Sequence, residues 1–307
     1  MTNYADRSIL IAVVGDIHDR WETDDAAALK HLGADLALFV GDFGNESVPV
    51  VKAIASLEIP FAAIAGNHDC WWTATPWGEK KCPYNRQTED RVQQQLDLLG
   101  AAHVGYGKLD LASLNLTVVG GRPFSWGGSD WTNAEFYRDL YGINNFAEST
   151  SRIVTAASSA AYETIIFMGH CGPKGLGDKA EDPCGRDWKP LGGDRGDPDL
   201  QEAICLTRAA GKRIPLVVFG HMHHNLRHTK TRLRKSIVVS PEGTVYLNAA
   251  RVPRIIETGR GRLRNFSLVS LSDGVISRAE LVWVDEEFNI AKSENLYKEP
   301  NLVVPSV

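Results

Sequence analysis

Short apolar runs, each about the length of a β-strand, recur along the chain and are separated by more polar stretches. Five of them are rich in aliphatic and aromatic residues and end at a glycine, which is typical of buried strands. They cover residues 9–14, 36–40, 61–65, 164–168 and 215–219. The glycine after residues 61–65 is expected to let the chain turn there.

Helical features fill the intervals between the first three strands. Thr23 supplies a hydroxyl that can cap a helix over residues 23–31, and Asp24 and Asp25 are interpreted as solvated charges at its positive end. A second helix is predicted over residues 48–57. This alternation predicts a β-α-β-α-β unit with a parallel sheet, in which ligands bind at the carboxyl ends of the strands.

The second half of the chain predicts further elements of both kinds. Helices are expected over residues 89–99, 151–162 and 199–210, and strands over residues 109–111 and 116–119. Four later strands, at residues 237–239, 245–247, 266–271 and 280–284, are expected to complete a second sheet in antiparallel fashion. Residues 285–307 read as a surface tail. Since neither a repeat nor a clear linker interrupts the pattern, one domain over residues 1–307 is expected.

Composition narrows the function classes. The chain has 307 residues, 43% of them hydrophobic, so a sizeable core is expected. Its 33 basic and 38 acidic residues give a net charge of −5, which argues against general nucleic-acid binding. No apolar run approaches the roughly 20 residues of a membrane span. Five irregularly spaced cysteines and a polar start without a signal-peptide pattern favour the cytoplasm, with a plastid or another organelle left open.

Polar side chains follow each of the five strands. The sequences there are Gly15-Asp16-Ile17-His18, Gly41-Asp42, Gly66-Asn67-His68-Asp69, Gly169-His170 and Gly220-His221-Met222-His223. Asp and His two positions apart can bind one metal ion, and a carboxylate can bridge two ions about 3.5–4 Å apart. One sheet edge would therefore collect carboxylate, imidazole and amide ligands.

These five motifs, in this order, resemble those of the calcineurin-like metallophosphoesterase superfamily, and they run over about two-thirds of the chain. The resemblance implies a two-sheet α/β/β/α sandwich with a dinuclear metal site at the carboxyl ends of its strands. Two divalent metal ions are implied, with manganese preferred and iron, zinc or cobalt as alternatives. The implied ligands of one ion are Asp16, His18, Asp42 and His223, and those of the other are Asp42, Asn67, His170 and His221. His68 would contact the phosphate and assist the leaving group, with Asp69 orienting it.

The sequence departs from the Ser/Thr protein phosphatase branch. After Gly41-Asp42 it reads Phe43-Gly44-Asn45, without the arginine that this branch uses to clamp phosphate. The looser pattern resembles phosphodiesterases and other phosphoesterases of small molecules, with nucleotides as one substrate class. A phosphomonoesterase and a non-catalytic metal-binding scaffold are the alternatives. Residues 243–251 also resemble an uncharacterised cyanobacterial and plastid branch. Oligomeric state is left open.

Three residues near the motifs are candidate substrate contacts. Trp71 and Trp72 follow the central motif and could stack on a base, cover the site or pack the loop. Arg122 follows a glycine pair and could bind a substrate anion or be a surface arginine. Residues 171–198 are rich in Gly, Pro and Asp, and a loop of this length predicts a substrate-specificity segment.

Overall fold

The computed structural model describes residues 8–259 and 261–300. Its strands are β1 (Ile9–Val14), β2 (Leu36–Phe39), β3 (Phe61–Ala63), β4 (Lys108–Leu111), β5 (Leu116–Gly120), β6 (Thr164–Met168), β7 (Arg213–Phe219), β8 (Ile237–Val239), β9 (Val245–Asn248), β10 (Ile255–Thr258), β11 (Gly261–Ser272), β12 (Val275–Val284) and β13 (Ile290–Lys298). Its helices are α1 (Thr23–His31), α2 (Val48–Ala55), α3 (Pro76–Glu79), α4 (Arg91–Leu99), α5 (Ala134–Tyr141), α6 (Phe146–Ser158) and α7 (Pro198–Ala209). The predicted polar start and the end of the predicted tail lie outside the described residues.

The strands form two sheets. In the first, the order is β13-β12-β11-β1-β2-β3, with β10 also paired to β11. In the second, the order is β4-β5-β6-β7-β9-β8. Each of the five motifs follows a strand: β1, β2 and β3 in the first sheet, and β6 and β7 in the second. Within each sheet, these strands run parallel to one another. Their carboxyl ends therefore point the same way within each sheet.

Apolar side chains on both faces of the strands explain the continuous apolar runs. In β1, Ile11 and Val13 face a core shared with Val118 and Val218 of the other sheet. Successive side chains of a strand point to opposite faces, so Ala12 and Val14 pack instead with the helices over the outer face. A third cluster covers the outer face of the second sheet with helices α6 and α7. The layers are thus helix, sheet, sheet and helix, as predicted.

The prediction for the last third of the chain is wrong in its sheet assignment. Only β8 and β9 join the second sheet, and β9 runs parallel to β7. β11 pairs antiparallel with β1 and so extends the first sheet, followed by β12 and β13. Most of the described residues of the predicted tail form β13 instead. Its mostly exposed, polar residues lack the apolar alternation that reveals a strand, since this edge of the sheet faces solvent.

The interpretation of Asp25 as a solvated charge is also wrong. The helix is capped by Glu22 rather than Thr23, and the Glu22 backbone N–H donates to the Asp25 carboxylate at 2.7 Å. Asp25 is fully buried and accepts a hydrogen bond from Arg254 Nη1 at 2.9 Å. Burial of a carboxylate is tolerated because a buried guanidinium pairs with it. This ion pair ties α1 to the segment that enters β10.

None of the helices in the described part of the chain combines the length and the hydrophobicity needed to cross a membrane.

His103 should make stability depend on pH. Its Nε2 is buried without a hydrogen-bond partner, and burial lowers the pKa of His103 to about 4 from 6.5. Below pH 6.5 the unfolded chain therefore gains a proton that the folded chain accepts only near pH 4, so stability falls as pH drops through this window. Between pH 6.5 and 4, the free energy of unfolding should therefore fall by on the order of 2–3 kcal/mol more in wild type than in His103→Gln.

Urea unfolding at half-unit pH intervals measures this difference. The matched control is His31→Gln, at an exposed position, which should keep the wild-type slope. Parallel pH profiles for wild type and His103→Gln would show that His103 titrates alike in both states.

Candidate metal centre and active site

The motif residues meet where the carboxyl ends of the two sheets lie side by side. Four of them adopt left-handed backbone conformations: Asp16, His18, Asp42 and His221 have φ values of 46°, 47°, 54° and 65°. Such conformations are uncommon for residues other than glycine, and each costs on the order of 1–3 kcal/mol. The surrounding loops therefore hold these four backbone positions, and with them the directions of the side chains, against that cost.

Gly66 permits a close approach between two of the motif loops. A Cβ atom there would lie 2.4 Å from Asp42 Oδ1 and 2.6 Å from His170 Cε1. The backbone at Gly66 is extended, with φ −97° and ψ −179°, so the predicted turning role is wrong. Only the absence of a side chain lets Asp42 and His170 approach the strand end this closely.

One group of candidate ligands consists of Asp16, His18 and His223, whose ligand atoms lie within 4.8 Å of one another. His18 Nε2 and His223 Nε2 are 3.2 Å apart, and His223 Nε2 is 4.0 Å from Asp16 Oδ1. A separation near 3.2 Å is about that of two nitrogens bound to one ion at roughly 2.0–2.1 Å.

A second group consists of Asp42, His170 and His221, joined by Asn67. Asn67 Oδ1 lies 3.0 Å from His170 Nε2 and 2.8 Å from His221 Nδ1. His170 Nδ1 donates to the Val40 carbonyl at 2.8 Å, which leaves the lone pair of Nε2 facing the group.

Asp42 lies between the two groups and presents one carboxylate oxygen to each. Its Oδ2 is 3.9 Å from His18 Nε2, and its Oδ1 is 3.3 Å from His170 Nε2. This is the arrangement expected of a carboxylate that bridges two metal ions.

The carboxylates at the centre repel one another. Burial opposes the charge of Asp42, but attraction to His170, His68, His18 and His221 outweighs it and lowers the pKa of Asp42 below its usual range. Burial, and then the charge of Asp42, raise the pKa of Asp16 well above its usual range. A bound cation would relieve this repulsion and let both carboxylates remain charged.

The imidazoles favour the neutral form that binds metal. Burial lowers the pKa values of His18 and His170, and it lowers that of His221 well below its usual range. Burial and the neighbouring His18 lower the pKa of His223 to about 4. The two adjoining groups thus offer neutral imidazoles, one amide oxygen and carboxylates. This set fits a pair of divalent cations with mixed nitrogen and oxygen ligands.

His68 lies between the candidate ligands and Trp71, and its ligand atom is within 4.8 Å of those of His18 and Asp42. The rings of His68 and Trp71 are stacked, with centroids 4.5 Å apart and an interplanar angle of 13°. His68 Nδ1 contacts Asn45 Oδ1 at 2.6 Å. Since an amide oxygen only accepts, Nδ1 carries the proton of this contact and Nε2 is free for other chemistry. Asn45 was not predicted as a site residue; its place shortly after Asp42, in the same motif, was the available signal.

Asp69 does not orient His68, which corrects the role predicted for it. Its carboxylate accepts hydrogen bonds from the backbone N–H groups of Gly66, Asp42 and Phe43, at 2.7, 2.9 and 2.8 Å. Asp69 is fully buried. It therefore fastens the Asp42 loop to the Asn67 loop and acts on the site only through their positions.

Two of the three predicted substrate contacts lie away from the open part of the site. Trp72 does not line the cavity beside the metal groups, and its backbone N–H donates to Glu46 Oε1 at 2.7 Å. Arg122 is 1% exposed and pairs with Asp197 and Asp199, at 2.6 and 3.0 Å. A guanidinium occupied in this way cannot reach a substrate, so the anion-binding prediction for Arg122 is wrong. Trp71 does line the cavity.

The cavity beside the two groups has a volume of about 370 Å³. Its lining includes five residues of the motifs, Asp42, Asn67, His68, His221 and His223. Three tryptophans also line it: Trp71, Trp126 and Trp188. Trp71 also stacks on Trp126, with centroids 5.3 Å apart. The predicted specificity loop supplies Trp188 and Arg195 and contains no helix or strand before α7 begins.

Solved structures with similar folds share little sequence with this chain. A Thermus thermophilus protein is 11% identical with a TM-score of 0.48, covering 95% of this chain and 100% of its own. A dimetal phosphatase from Danio rerio is 10% identical with a TM-score of 0.47, covering 95% and 99%. A phosphopantetheinyl hydrolase from Mycobacterium tuberculosis is 11% identical with a TM-score of 0.46, covering 80% and 90%. No curated protein matches the chain.

The sequence profile of the calcineurin-like phosphoesterases matches residues 9–225, which include all five motifs and both ligand groups. This match covers well over half of the chain. The protein therefore belongs to the calcineurin-like phosphoesterase family.

Proposed function

We propose that the protein is a two-metal phosphoesterase that hydrolyses small-molecule phosphate diesters. The observation that carries the proposal is Asp42, which presents one oxygen to each of two Asp/His groups. We assign Asp16, His18, Asp42 and His223 to one ion, and Asp42, Asn67, His170 and His221 to the other. When bound, two such ions supply positive charge toward the phosphate and water of lowered pKa as a nucleophile.

The protein's own residues orient the reaction. His68 is the proposed proton donor to the oxygen of the departing ester arm, a role suited to an imidazole. Asn45 holds its Nδ1 and Trp71 holds the plane of its ring, so Nε2 is the nitrogen that exchanges the proton. Asp69 keeps the loop of Asn67 and His68 in register with the loop of Asp42.

A diester is favoured over a monoester because the cavity extends beyond the candidate ligands. The tryptophan-lined part of its roughly 370 Å³ can accommodate a second ester arm with a planar group, in accordance with the aromatic lining of small-molecule sites. The same observation favours a nucleotide or a comparable aromatic ester as the substrate class.

Manganese-loaded protein should hydrolyse bis-p-nitrophenyl phosphate faster than p-nitrophenyl phosphate. The two esters release the same leaving group, so their kcat/KM ratio isolates the effect of the second ester arm. A preference for the monoester would replace the proposal with a phosphomonoesterase. Absence of turnover with both esters and with nucleotide diesters would favour a metal-binding scaffold without catalysis.

His68→Ala should slow reactions in proportion to how much their leaving group needs a proton. For a diester with an alkoxide leaving group we expect a loss in kcat of about 10²- to 10³-fold, because general acid catalysis contributes that much. With p-nitrophenolate, which leaves without protonation, the loss should stay below about 10-fold. The measurement is kcat for both esters with wild type and variant. Equal losses for both would indicate that His68 positions the phosphate and donates no proton.

A further inference from the structure

One wall of the cavity combines a tryptophan with two arginines. We call Trp188, Arg195 and Arg227 the arginine–tryptophan wall; all three line the cavity beside the candidate ligands. The guanidinium carbon of Arg195 lies 5.8 Å from the centroid of the Trp188 ring, and that of Arg227 lies 5.5 Å from it. An aromatic ring at this distance attracts a guanidinium and restrains its position. Two positively charged groups are therefore held by one ring at the cavity.

Arg195 is fixed in place by the backbone of a second loop. Its Nη2 donates to the Gly127 carbonyl at 3.0 Å. A Cβ atom at Gly128, where φ is +95°, would lie 2.6 Å from the Arg195 guanidinium carbon, so only glycine leaves room for it. The Arg195 Nε is buried and has no hydrogen-bond partner. The hydrogen bond to Gly127 and the close fit against Gly128 thus fix the guanidinium beside the cavity.

Neither arginine of the wall forms an ion pair with a carboxylate of residues 8–259 or 261–300. The nearby Asp187 carboxylate accepts from the Arg227 backbone N–H at 2.9 Å and lies 3.3 Å from Arg234 Nη2. The Asp187 carboxylate thus pairs with a backbone N–H and with Arg234, and not with a guanidinium of the wall. Arg227 is exposed and Arg195 half-buried, so both can meet an anion from solvent. The fully buried arginines are instead paired within the fold: Arg122 with Asp197, Arg254 with Asp25 and Arg264 with Asp24.

We propose that the arginine–tryptophan wall binds a second phosphate group of the substrate, separate from the phosphate that is hydrolysed. This inference rests on the proposed function, because it describes the far end of the same cavity. Guanidinium groups bind phosphate oxygens through paired, charge-assisted hydrogen bonds, and this cavity has two of them around Trp188. The substrate class is then a phosphodiester that carries a further terminal phosphate.

Two p-nitrophenyl esters that differ by one phosphate test the proposal. They are thymidine 5′-(p-nitrophenyl phosphate) and the same compound with a 3′-phosphate, and both release p-nitrophenolate. With manganese-loaded wild type, we expect kcat/KM to be about 10- to 100-fold higher for the 3′-phosphorylated ester, as charge-assisted hydrogen bonds would give. Arg227→Met and Arg195→Met should each reduce this ratio toward one.

The kcat/KM ratio of the two esters, measured for each variant, distinguishes binding of a second phosphate from other roles of the arginines. Arg152→Met, at an exposed position on α6, is the matched control and should keep the wild-type ratio. If the arginines instead bound the phosphate that is hydrolysed, the variants would lose the same activity on both esters. The kcat/KM ratio would then stay at its wild-type value, and this result would overturn the proposal. A wild-type ratio near one would overturn it as well.

Calorimetry distinguishes failure of this inference from failure of the proposed function. Chelator-treated protein should bind thymidine 3′,5′-bisphosphate at least about 10-fold more tightly than thymidine 5′-phosphate, and Arg227→Met should remove the difference. This binding needs no turnover, so it can support the second-phosphate site even if neither ester is hydrolysed. Equal affinities of wild type for the two nucleotides would count against the site irrespective of catalysis.

Discussion

Asp42→Asn should remove phosphoesterase activity and metal-dependent stability together. Asp42 is the residue that faces both ligand groups, and an amide can neither bridge two cations nor balance their charge. Loss of a residue that only supports a ligand already costs about 10–100-fold in metal affinity or activity. We therefore expect kcat to fall by about 10³-fold or more, measured with bis-p-nitrophenyl phosphate and manganese.

The variant should nevertheless fold, which makes the loss interpretable. Asparagine tolerates the left-handed backbone that Asp42 adopts at φ 54°, and its amide oxygen can still accept from the His68 backbone N–H. The charge of Asp42 raises the pKa values of Asp16 and Asp69, so its removal relieves repulsion in metal-free protein. This relief offsets the lost attraction between Asp42 and the surrounding histidines, so metal-free Asp42→Asn should still unfold cooperatively.

Thermal unfolding with and without manganese provides the second readout. Wild type should gain stability on metal addition, by about 2.7 kcal/mol when free metal is 100 times the Kd, and the variant should gain little. Asp130→Asn, which changes an exposed carboxylate, is the control and should behave as wild type does. An Asp42→Asn protein that retains two manganese ions and turnover within tenfold of wild type would exclude the bridging role.

The sequence predicted the candidate ligands because their signal is local. A strand that is apolar on both faces and then ends in Asp or His can be recognised from a few residues, as with residues 9–18. Parallel neighbours bring such ends together, so the approach of Asp16 in the first motif to His223 in the last followed from the topology alone. The prediction needed no knowledge of side-chain contacts.

Features that depend on partners distant in sequence were missed. An exposed edge strand has no apolar alternation, so the sequence predicts a tail where β13 lies, and only its pairing with β12 defines the strand. The sequence predicts a solvated charge at Asp25 and an anion contact or surface charge at Arg122, because each actual partner lies more than 70 residues away. Asn45 differs from an ordinary loop asparagine only through its contact with His68. Hydrophobic periodicity carries no information about such pairs.

Arg122→Met should destabilise the fold by about 3–5 kcal/mol without raising KM. The Arg122 guanidinium lies between Asp197 and Asp199, and all three side chains are at most 1% exposed. Removal of the cation leaves two buried carboxylates that repel each other, and breaking a buried ion pair in this way costs about 3–5 kcal/mol. The measurement is urea unfolding at pH 8, with KM determined well below the melting temperature.

The cost of Arg122→Met should shrink when the carboxylates can be neutralised. Burial already raises the pKa of Asp197 to about 7 despite the opposing charge of Arg122, so without that charge it should rise further. The free energy of unfolding that Arg122→Met loses relative to wild type should thus be smaller at pH 6 than at pH 8. The loss should be smaller still in the triple variant Arg122→Met/Asp197→Asn/Asp199→Asn. Arg138→Met, at an exposed arginine on α5, is the control and should cost under about 1 kcal/mol. A stable Arg122→Met protein with a raised KM would restore the anion-binding role that the buried ion pairs argue against.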